Sequence, residues 1–189
     1  MISTSDFKKG FRYEDEGAPF QVMEFTVHNP SARGAATLVK AKVRNLITGQ
    51  VLQKTYKSGE LFEEPDLSVR QASYLYAEGS DFIFMDGETY EQYVVPGTVI
   101  GDLEPWLQDG FEVKLMSYNG VFIQVEPPQS VVVTVDYVEP AAKGDTASGK
   151  VLSKARLTNG VNLQVPAFIK EGSEIKVDPS TGEYLGRVS

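Results

Sequence analysis

The sequence predicts an all-β protein built from three small barrels, and three observations indicate this. Apolar and polar residues alternate with a period of two along much of the chain, which is typical of half-buried strands. Turn-forming pairs such as Asn119-Gly120 and Asn159-Gly160 separate these stretches. Polar breaks that contain proline, at residues 63–66 and 126–129, divide the chain into three parts of about 60 residues each.

The clearest strand prediction in the first part is residues 37–44. Alternate positions place small or β-branched residues on one face and Leu38, Lys40, Lys42 and Arg44 on the other. Residues 20–27 are predicted as the preceding strand and residues 51–57 as the hairpin partner that follows. A barrel of about five short strands is therefore expected for residues 1–64.

The other two parts show the same rhythm with one exception. Strands are predicted in the middle part at residues 72–76, 81–85, 113–118 and 121–125, and in the last part at residues 130–138, 161–165 and 175–177. The exception is residues 103–108, which contain the only tryptophan and are predicted as a short helix.

Composition limits the classes of protein that the chain can belong to. An apolar fraction of 41% and an aromatic fraction of 11% are typical of a folded protein. The chain has no cysteine, which excludes a disulfide framework and a thiolate metal site. No signal peptide is expected from the first residues, and no apolar run reaches the ~18 residues of a membrane span. These features predict a cytoplasmic protein.

Charge is distributed unevenly. The net charge is −8, but residues 1–64 carry +1, residues 65–128 carry −9 and residues 129–189 carry 0. Residues 25–59 contain six basic side chains and no acidic one, and residues 146–170 form a second window without acids. Two cationic windows in an acidic chain favour contact with a polyanion at two separate places.

The stretch from His28 to Ala36 lies within the first window and is the most distinctive in the chain. It is a loop of small residues with one long cation, Arg33, at its tip, and it leads into the basic strand 37–44. A long cation on a loop of small side chains can approach a partner closely. The pattern predicts that the loop places Arg33 next to an anionic group.

No catalytic or cofactor-binding motif is complete. His28 is the only histidine, which excludes most zinc sites and catalytic triads. Residues 144–150 match the first seven positions of a phosphate-binding G-x-x-x-x-G-K loop, but Val151 replaces the required Ser or Thr and the next residues predict a strand. Nucleotide hydrolysis is therefore rejected, and no metal or cofactor is predicted.

Two other groups of residues are interpreted as structural. The carboxylates at residues 14–16 and 63–66 lie in turns, where solvated side chains are expected rather than acid–base catalysis. Tyr74, Tyr76, Tyr90 and Tyr93 fall at strand-like spacing, which favours core or cross-strand packing over a base-stacking platform. The sequence thus predicts a protein that is not an enzyme.

The chain resembles bacterial elongation factor P and its close elongation factor P-like paralogues along essentially its whole length. The segments that carry the resemblance are residues 43–49, 84–86, 89–93, 144–146, 160–166, 175–178 and 181–184. The resemblance implies an L-shaped arrangement of three barrels: an SH3-like (KOW-type) domain at 1–64, an acidic OB-type domain at 65–128 and a C-terminal OB-type domain at 129–189. It also implies a monomer without a cofactor.

The same resemblance implies a function and a set of partners. Members of the family resemble tRNA in outline and bind the ribosome beside peptidyl-tRNA. They stimulate peptide-bond formation and relieve stalling at consecutive prolines. By resemblance, Arg33 contacts the CCA end of the tRNA, and Pro30, Ser31, Ala32 and Gly34 support it in the tip loop.

The tip loop departs from the usual family pattern in two ways. Arginine stands where many members have a modified lysine, and one extra residue precedes it, as in the loop of the paralogues. Lysine-type modification is therefore not carried over. Three alternatives remain open for Arg33: rhamnosylation, another modification, or none. A modifying enzyme that acts on Arg33 would be a further partner.

Further residues are assigned in the same way. Gly144, Asp145 and Thr146 match the loop that faces the exit-site codon, and the C-terminal contacts with tRNA or ribosome are expected at Lys150, Lys154, Arg156, Tyr184 and Arg187. Lys40, Lys42 and Arg44 are expected to contact backbone phosphates. Two alternatives remain open: a generic single-stranded RNA-binding OB-fold protein and a protein-interaction scaffold that uses the acidic middle part.

Overall fold

The computed structural model describes residues 1–29, 36–140 and 152–188, and these residues form an almost entirely β structure. The all-β prediction is therefore confirmed. The residues pack into two compact units, one of Met1–Val69 and Leu115–Gln124 and the other of Arg70–Lys114 and Val125–Ser189. None of the described helices has the length and apolar composition that crossing a membrane requires.

The first part of the chain forms two small sheets. Its strands are β1 (Ile2–Ser3), β2 (Arg12–Asp15), β3 (Ala18–His28), β4 (Leu38–Asn45), β5 (Val51–Lys57) and β6 (Leu61–Phe62). Strands β2, β3, β4 and β5 form an antiparallel sheet in that order, and β1 pairs with β6. The predicted strands at 20–27, 37–44 and 51–57 are thus confirmed.

A β-bulge changes the environment of β3 halfway along its length. The register with β4 shifts between Val22 and Glu24. Val22 is fully buried before the bulge, whereas all five residues from Glu24 to His28 are exposed after it. Because a bulge reorients the side chains that follow it, the distal half of β3 does not pack into the core. The β3–β4 hairpin therefore continues past the core towards residues 30–35.

Aromatic rings fill the core of this region. Tyr13 is completely buried, and its ring packs against Phe7, Phe20 and Phe62 at centroid distances of 5.0, 5.9 and 5.0 Å. The ring of Tyr56 meets that of Tyr13 edge-on at 6.0 Å, an orientation that aromatic quadrupoles favour. Five large rings thus lie together in the buried apolar cluster of this small domain.

A polar network, here called the Asp15 brace, links the two edge strands of the sheet. Tyr56 Oη donates to Asp15 Oδ2 at 2.9 Å, and Tyr13 Oη lies 2.8 Å from Tyr56 Oη. Lys54 Nζ lies 2.6 Å from the same Asp15 oxygen and 3.1 Å from Glu16 Oε2. Asp15 ends β2 and the other partners of that carboxylate lie in β5, so these side chains connect the opposite edges of the sheet.

The brace sets the protonation of its members. Burial raises the pKa of Tyr13 to about 12, and burial together with the bonds to Tyr13 and Asp15 raises the pKa of Tyr56 further. Burial lowers the pKa of Lys54, but its hydrogen bonds to Asp15 and Glu16 outweigh that effect, so the pKa is raised overall. Both phenols therefore keep their protons and donate, while Lys54 stays charged.

The middle part forms a sheet of five strands. They are β7 (Leu67–Glu78), β8 (Asp81–Asp86), β9 (Gln92–Pro96), β10 (Glu112–Tyr118) and β11 (Val121–Glu126), in the order β11-β10-β7-β8-β9. Asn119 and Gly120 join β10 to β11 with φ angles of 48° and 79°. Positive φ at both positions is what a two-residue hairpin turn of type I′ needs, so the turn prediction is confirmed.

The helix predicted at residues 103–108 is displaced and has a different form. The structure has one short α-helix, α1 (Gly97–Ile100), among the described residues, followed by a 3-10 helix at Gly101–Trp106. Pro105 lies inside the second segment and lacks an N–H, which prevents a regular α-helix there. Gly97 is the first residue of α1. A Cβ at that position would lie 2.8 Å from the carbonyl oxygen of Ser80, so the close approach of this backbone requires glycine.

A buried carboxylate organises the turn after β8. Asp86 Oδ1 accepts hydrogen bonds from the backbone N–H groups of Glu88 and Thr89 at 2.8 and 2.9 Å. Its other oxygen accepts from Tyr93 Oη at 2.8 Å and lies 3.9 Å from Arg70 Nη1. These bonds, led by the two from the backbone, lower the pKa of Asp86 to about 2.

The last part forms a second five-stranded sheet. Its strands are β12 (Val131–Val138), β13 (Leu152–Leu157), β14 (Asn162–Pro166), β15 (Glu174–Asp178) and β16 (Glu183–Arg187), in the order β14-β13-β12-β15-β16. Strand β14 also lies against β16, which gives the sheet a barrel-like curvature. For β13 the sequence indicated only that the residues after Val151 are β-like, without bounds, because its buried side includes the small residues Ser153 and Ala155. It did not predict β16, which contains Gly186.

Removing the phenolic oxygen of Tyr56 is expected to destabilise the protein. Tyr56→Phe leaves Asp15 and Tyr13 without their shared partner, which should cost about 1–3 kcal/mol of unfolding free energy. Urea denaturation followed by circular dichroism measures the loss. Tyr137→Phe, at an exposed position in β12, is the matched control and should be neutral. Equal stability of both variants would contradict the brace.

The Asp86 carboxylate is expected to contribute a pH-dependent part of the stability. Because its folded pKa is about 2, below the ordinary value near 4, the contribution is complete above about pH 4 and is lost as the pH falls towards 2. Asp86→Asn should lower the unfolding free energy at pH 7. The difference in unfolding free energy between this variant and the parent protein should become smaller below pH 4. Denaturation curves from pH 2 to 7 test this. Asp109→Asn, at an exposed position, is the control, and its stability difference from the parent should not change with pH. A difference for Asp86→Asn that is equally constant with pH would refute the contribution of the carboxylate.

Candidate nucleic-acid interface

Some of the predicted site residues lie outside the described part of the chain. These are the tip-loop residues Pro30, Ser31, Ala32, Arg33 and Gly34, and further along the chain Gly144, Asp145, Thr146 and Lys150. The structure does describe the strands that lead to and from both segments. The geometry below therefore concerns the stem of the tip loop, the basic strand β4 and the C-terminal sheet.

The stem of the tip loop is held on both sides. His28 and Leu38 form the last backbone pair between β3 and β4. Beyond that pair, Thr37 Oγ1 donates to Asn29 Oδ1 at 3.0 Å, and Ser58 N donates to Thr37 O at 2.8 Å. The chain thus enters and leaves residues 30–35 from positions fixed by hydrogen bonds.

Lys40, Lys42 and Arg44 lie exposed on one face of β4, as predicted. The alternate residues Val39, Ala41 and Val43 are buried in the core, which fixes the orientation of the strand. We call the exposed side of β3, β4 and β5 the cationic face. Lys57 also belongs to it, because its backbone pairs with Leu38 on the same side of the sheet.

The register gives each cation of β4 a neighbour in β3 and another in β5. The three rows are Thr26/Lys40/Thr55, Glu24/Lys42/Gln53 and Gln21/Arg44/Val51. Glu24 lies one position before the acid-free window of the sequence, yet the hairpin places it directly opposite Lys42. Reading charges along the chain could not reveal this pair, because it depends on the register that the bulge in β3 creates.

Lys54 is a basic residue of the same window that does not belong to the cationic face. Its backbone pairs with Ala41, whose side chain is buried, and its own side chain is only 17% exposed. The ammonium lies 4.3 Å from the centroid of the Phe20 ring and is paired with Asp15 and Glu16. Lys54 therefore supports the barrel and is not available to a polyanion.

The predicted C-terminal residues do not form one continuous row. Lys154 and Arg156 are exposed on β13, whereas Tyr184 and Arg187 lie on β16, and β12 and β15 separate these strands in the sheet order. Arg156 is paired: its Nε and Nη2 donate to Asp136 Oδ2 at 3.0 and 2.7 Å. Tyr184 is half-buried opposite Val177.

Two interpretations of acidic and aromatic residues need correction. Asp15 is not a solvated turn residue, because it is the centre of the brace described above. Tyr74 packs on Phe82 and Phe84 and Tyr93 bonds to Asp86, as expected of core residues. Tyr76 is 48% exposed but lies opposite Ile83 in the neighbouring strand, as expected of a cross-strand residue. Tyr90 is 71% exposed, so the prediction of packing was wrong for this residue. Tyr90 has a φ of 61° in a turn, where strand-like spacing has no meaning.

No group of three or more His, Cys, Asp or Glu side chains among the described residues could hold a metal ion. Strand β13, not a helix, follows residues 144–150, as the rejection of a nucleotide-binding loop predicted. His28 is exposed at the end of β3.

Three family models match consecutive parts of the chain. The elongation factor P KOW-like domain matches residues 3–62, the elongation factor P OB domain matches residues 67–125, and the elongation factor P C-terminal model matches residues 131–187. Together they cover most of the sequence. The first two also agree with the KOW-like and OB-type folds expected for these segments.

Individual relatives and one solved structure agree with the family models. Elongation factor P of Desulfovibrio desulfuricans is 42% identical over 99% of this chain and 100% of its own length. Elongation factor P of Rhodopirellula baltica is also 42% identical, over 99% of this chain and 94% of its own. Eukaryotic translation initiation factor 5A from Methanococcus jannaschii shares the fold, with a TM-score of 0.55 and 18% identity over 67% of this chain and 91% of that one.

Identity at this level over the full length, together with three ordered domain matches, leaves one assignment. The chain belongs to the elongation factor P family of translation elongation factors.

Proposed function

We propose that the protein binds the ribosome next to peptidyl-tRNA and stimulates peptide-bond formation, relieving stalling at consecutive prolines. The observation that supports this most directly is the cationic face of this chain, which belongs to the elongation factor P family. Lys40, Lys42 and Arg44 project from a strand that leads out of the tip loop, and the stem of that loop is fixed by hydrogen bonds. The cations of this face can bind RNA phosphates, while the hairpin beside them can reach into a narrow space between RNA segments.

In this proposal the ribosome performs the chemistry and the protein restricts motion. Arg33 at the tip of the loop contacts the CCA end, where its planar guanidinium can donate to phosphate or ribose oxygens. Contact with the peptidyl-tRNA keeps the reacting atoms aligned, which lowers the entropic part of the barrier. The protein then needs no catalytic group of its own, and we propose that it is not an enzyme.

We further propose that three modules, residues 1–64, 65–128 and 129–189, divide the work. The family models at residues 3–62, 67–125 and 131–187 support these boundaries. The first module would face the tRNA acceptor end. The third would face the anticodon end and the exit-site codon through Gly144, Asp145 and Thr146, with further contacts from Lys150, Lys154, Tyr184 and Arg187.

Arg156 has a more limited role in this proposal than the sequence predicted. Its guanidinium already makes two hydrogen bonds to Asp136, so its charge is neutralised locally. Binding to a phosphate would require it to leave that partner or to share it, which reduces the net gain. Lys154, two residues earlier on the same strand, is the stronger candidate for a phosphate contact.

Removal of the Arg33 guanidinium is expected to abolish relief of stalling and to leave folding intact. The variant Arg33→Ala loses charge-assisted hydrogen bonds of about 1.5–3 kcal/mol, which corresponds to about a tenfold or larger decrease in the rate at proline pairs. Reconstituted translation of a message with consecutive proline codons measures this, with Lys9→Gln, at an exposed cation in the turn before β2, as the control. Full activity of Arg33→Ala would refute the role of the tip.

The state of Arg33 is a separate question with three proposed answers. The side chain acts unmodified, after rhamnosylation by a dedicated enzyme, or after another modification that would add a different mass. Intact mass of the natively expressed protein, followed by fragmentation across residues 30–36, distinguishes them. A sugar increment on Arg33 identifies rhamnosylation, a different increment identifies another modification, and the unmodified mass identifies the unmodified form.

A further inference from the structure

The Lys40 row of the cationic face combines one ammonium group with two hydroxyl groups. Thr26 in β3 and Thr55 in β5 are the direct backbone partners of Lys40 in β4, on either side of it. All three residues are exposed. Cβ atoms of directly opposed residues lie about 4.5–5.5 Å apart, so the row extends about 10 Å across the sheet. It offers a positive charge between two neutral donors.

These donors are free to receive a ligand. Within the described part of the chain, neither an ion pair nor a side-chain hydrogen bond engages Thr26, Lys40 or Thr55. Lys54 and Arg156, by comparison, already have carboxylate partners. An unpaired ammonium keeps its full attraction for an anion, because no internal pair must be broken first.

The neighbouring row differs in a way that disfavours an anion. Lys42 lies between Glu24 and Gln53, so a carboxylate occupies the position that a hydroxyl occupies beside Lys40. A phosphate over Lys42 would meet a like charge on the β3 side. On the other side of the Lys40 row, Lys57 lies opposite Leu38 and adds a cation nearer the stem of the tip loop.

We propose that Thr26, Lys40 and Thr55 form the main RNA-phosphate site of the cationic face, and that Lys42 contributes less than Lys40. Lys40 holds a backbone phosphate, and the two threonines donate to phosphate or ribose oxygens beside it. The RNA backbone then runs across the row towards Lys57 and the tip loop. The inference rests on the proposed ribosome-bound function and adds two binding residues and an order of importance.

Binding to ribosomes across a series of KCl concentrations tests the proposal. Lys40→Gln is expected to weaken binding about tenfold and to lower the slope of log K against log salt by about one. The double variant Thr26→Val/Thr55→Val keeps the β-branched shape and should weaken binding about fivefold without changing the slope, since no charge is lost. Lys42→Gln should weaken binding less than Lys40→Gln, and Lys9→Gln controls for net charge.

The outcomes separate this inference from the function on which it rests. A Lys42→Gln loss equal to or larger than that of Lys40→Gln, or unchanged binding of the double threonine variant, overturns the row and leaves the function intact. Failure of the parent protein to bind ribosomes overturns both. Losses seen only when tRNA fills the peptidyl site identify tRNA as the source of the phosphate, and losses that persist on vacant ribosomes identify ribosomal RNA. Unchanged thermal midpoints show that the variants fold.

Discussion

The Asp15 carboxylate makes the interaction on which the first part of the structure depends. A single oxygen of Asp15 accepts hydrogen bonds from Tyr56 and from Lys54. These bonds join the end of β2 to β5, which are the two edge strands of the sheet. A sheet this small buries little apolar surface, so a side-chain link between its edges matters more than it would in a larger domain. The brace also draws Lys54 inward, away from the cationic face.

That inward placement has a consequence for function. A protein with a net charge of −8 can bind RNA only through a face where cations are free and acids are few. The brace pairs Lys54 with Asp15 and Glu16, so one lysine that does not belong to the cationic face offsets part of the negative charge of this turn. The cations of β4 remain exposed on the opposite side. The structure thus separates the basic residues that support the barrel from those that can bind a ligand.

The sequence was sufficient to predict the all-β fold, because strict alternation such as that of residues 37–44 identifies a half-buried strand. It was insufficient where small residues weaken that alternation, as with Ser153 and Ala155 in β13. It also fails where a partner is distant in sequence: the pattern predicts a solvated turn residue at Asp15, and charge along the chain does not identify Glu24 as the neighbour of Lys42. Both errors have the same physical origin, since register and barrel closure bring together residues that sequence windows keep apart.

In the function proposed above, the β3–β4 hairpin directs its tip to the acceptor end of a ribosome-bound tRNA. The chain contains no cysteine, so Ala36→Cys creates a single attachment site at an exposed position beside the tip loop. An iron chelate tethered there generates hydroxyl radicals that cleave nearby RNA. Cleavage is expected at the 3′ end of tRNA in the peptidyl site. Cleavage confined to other RNA, with the 3′ end untouched, would contradict it.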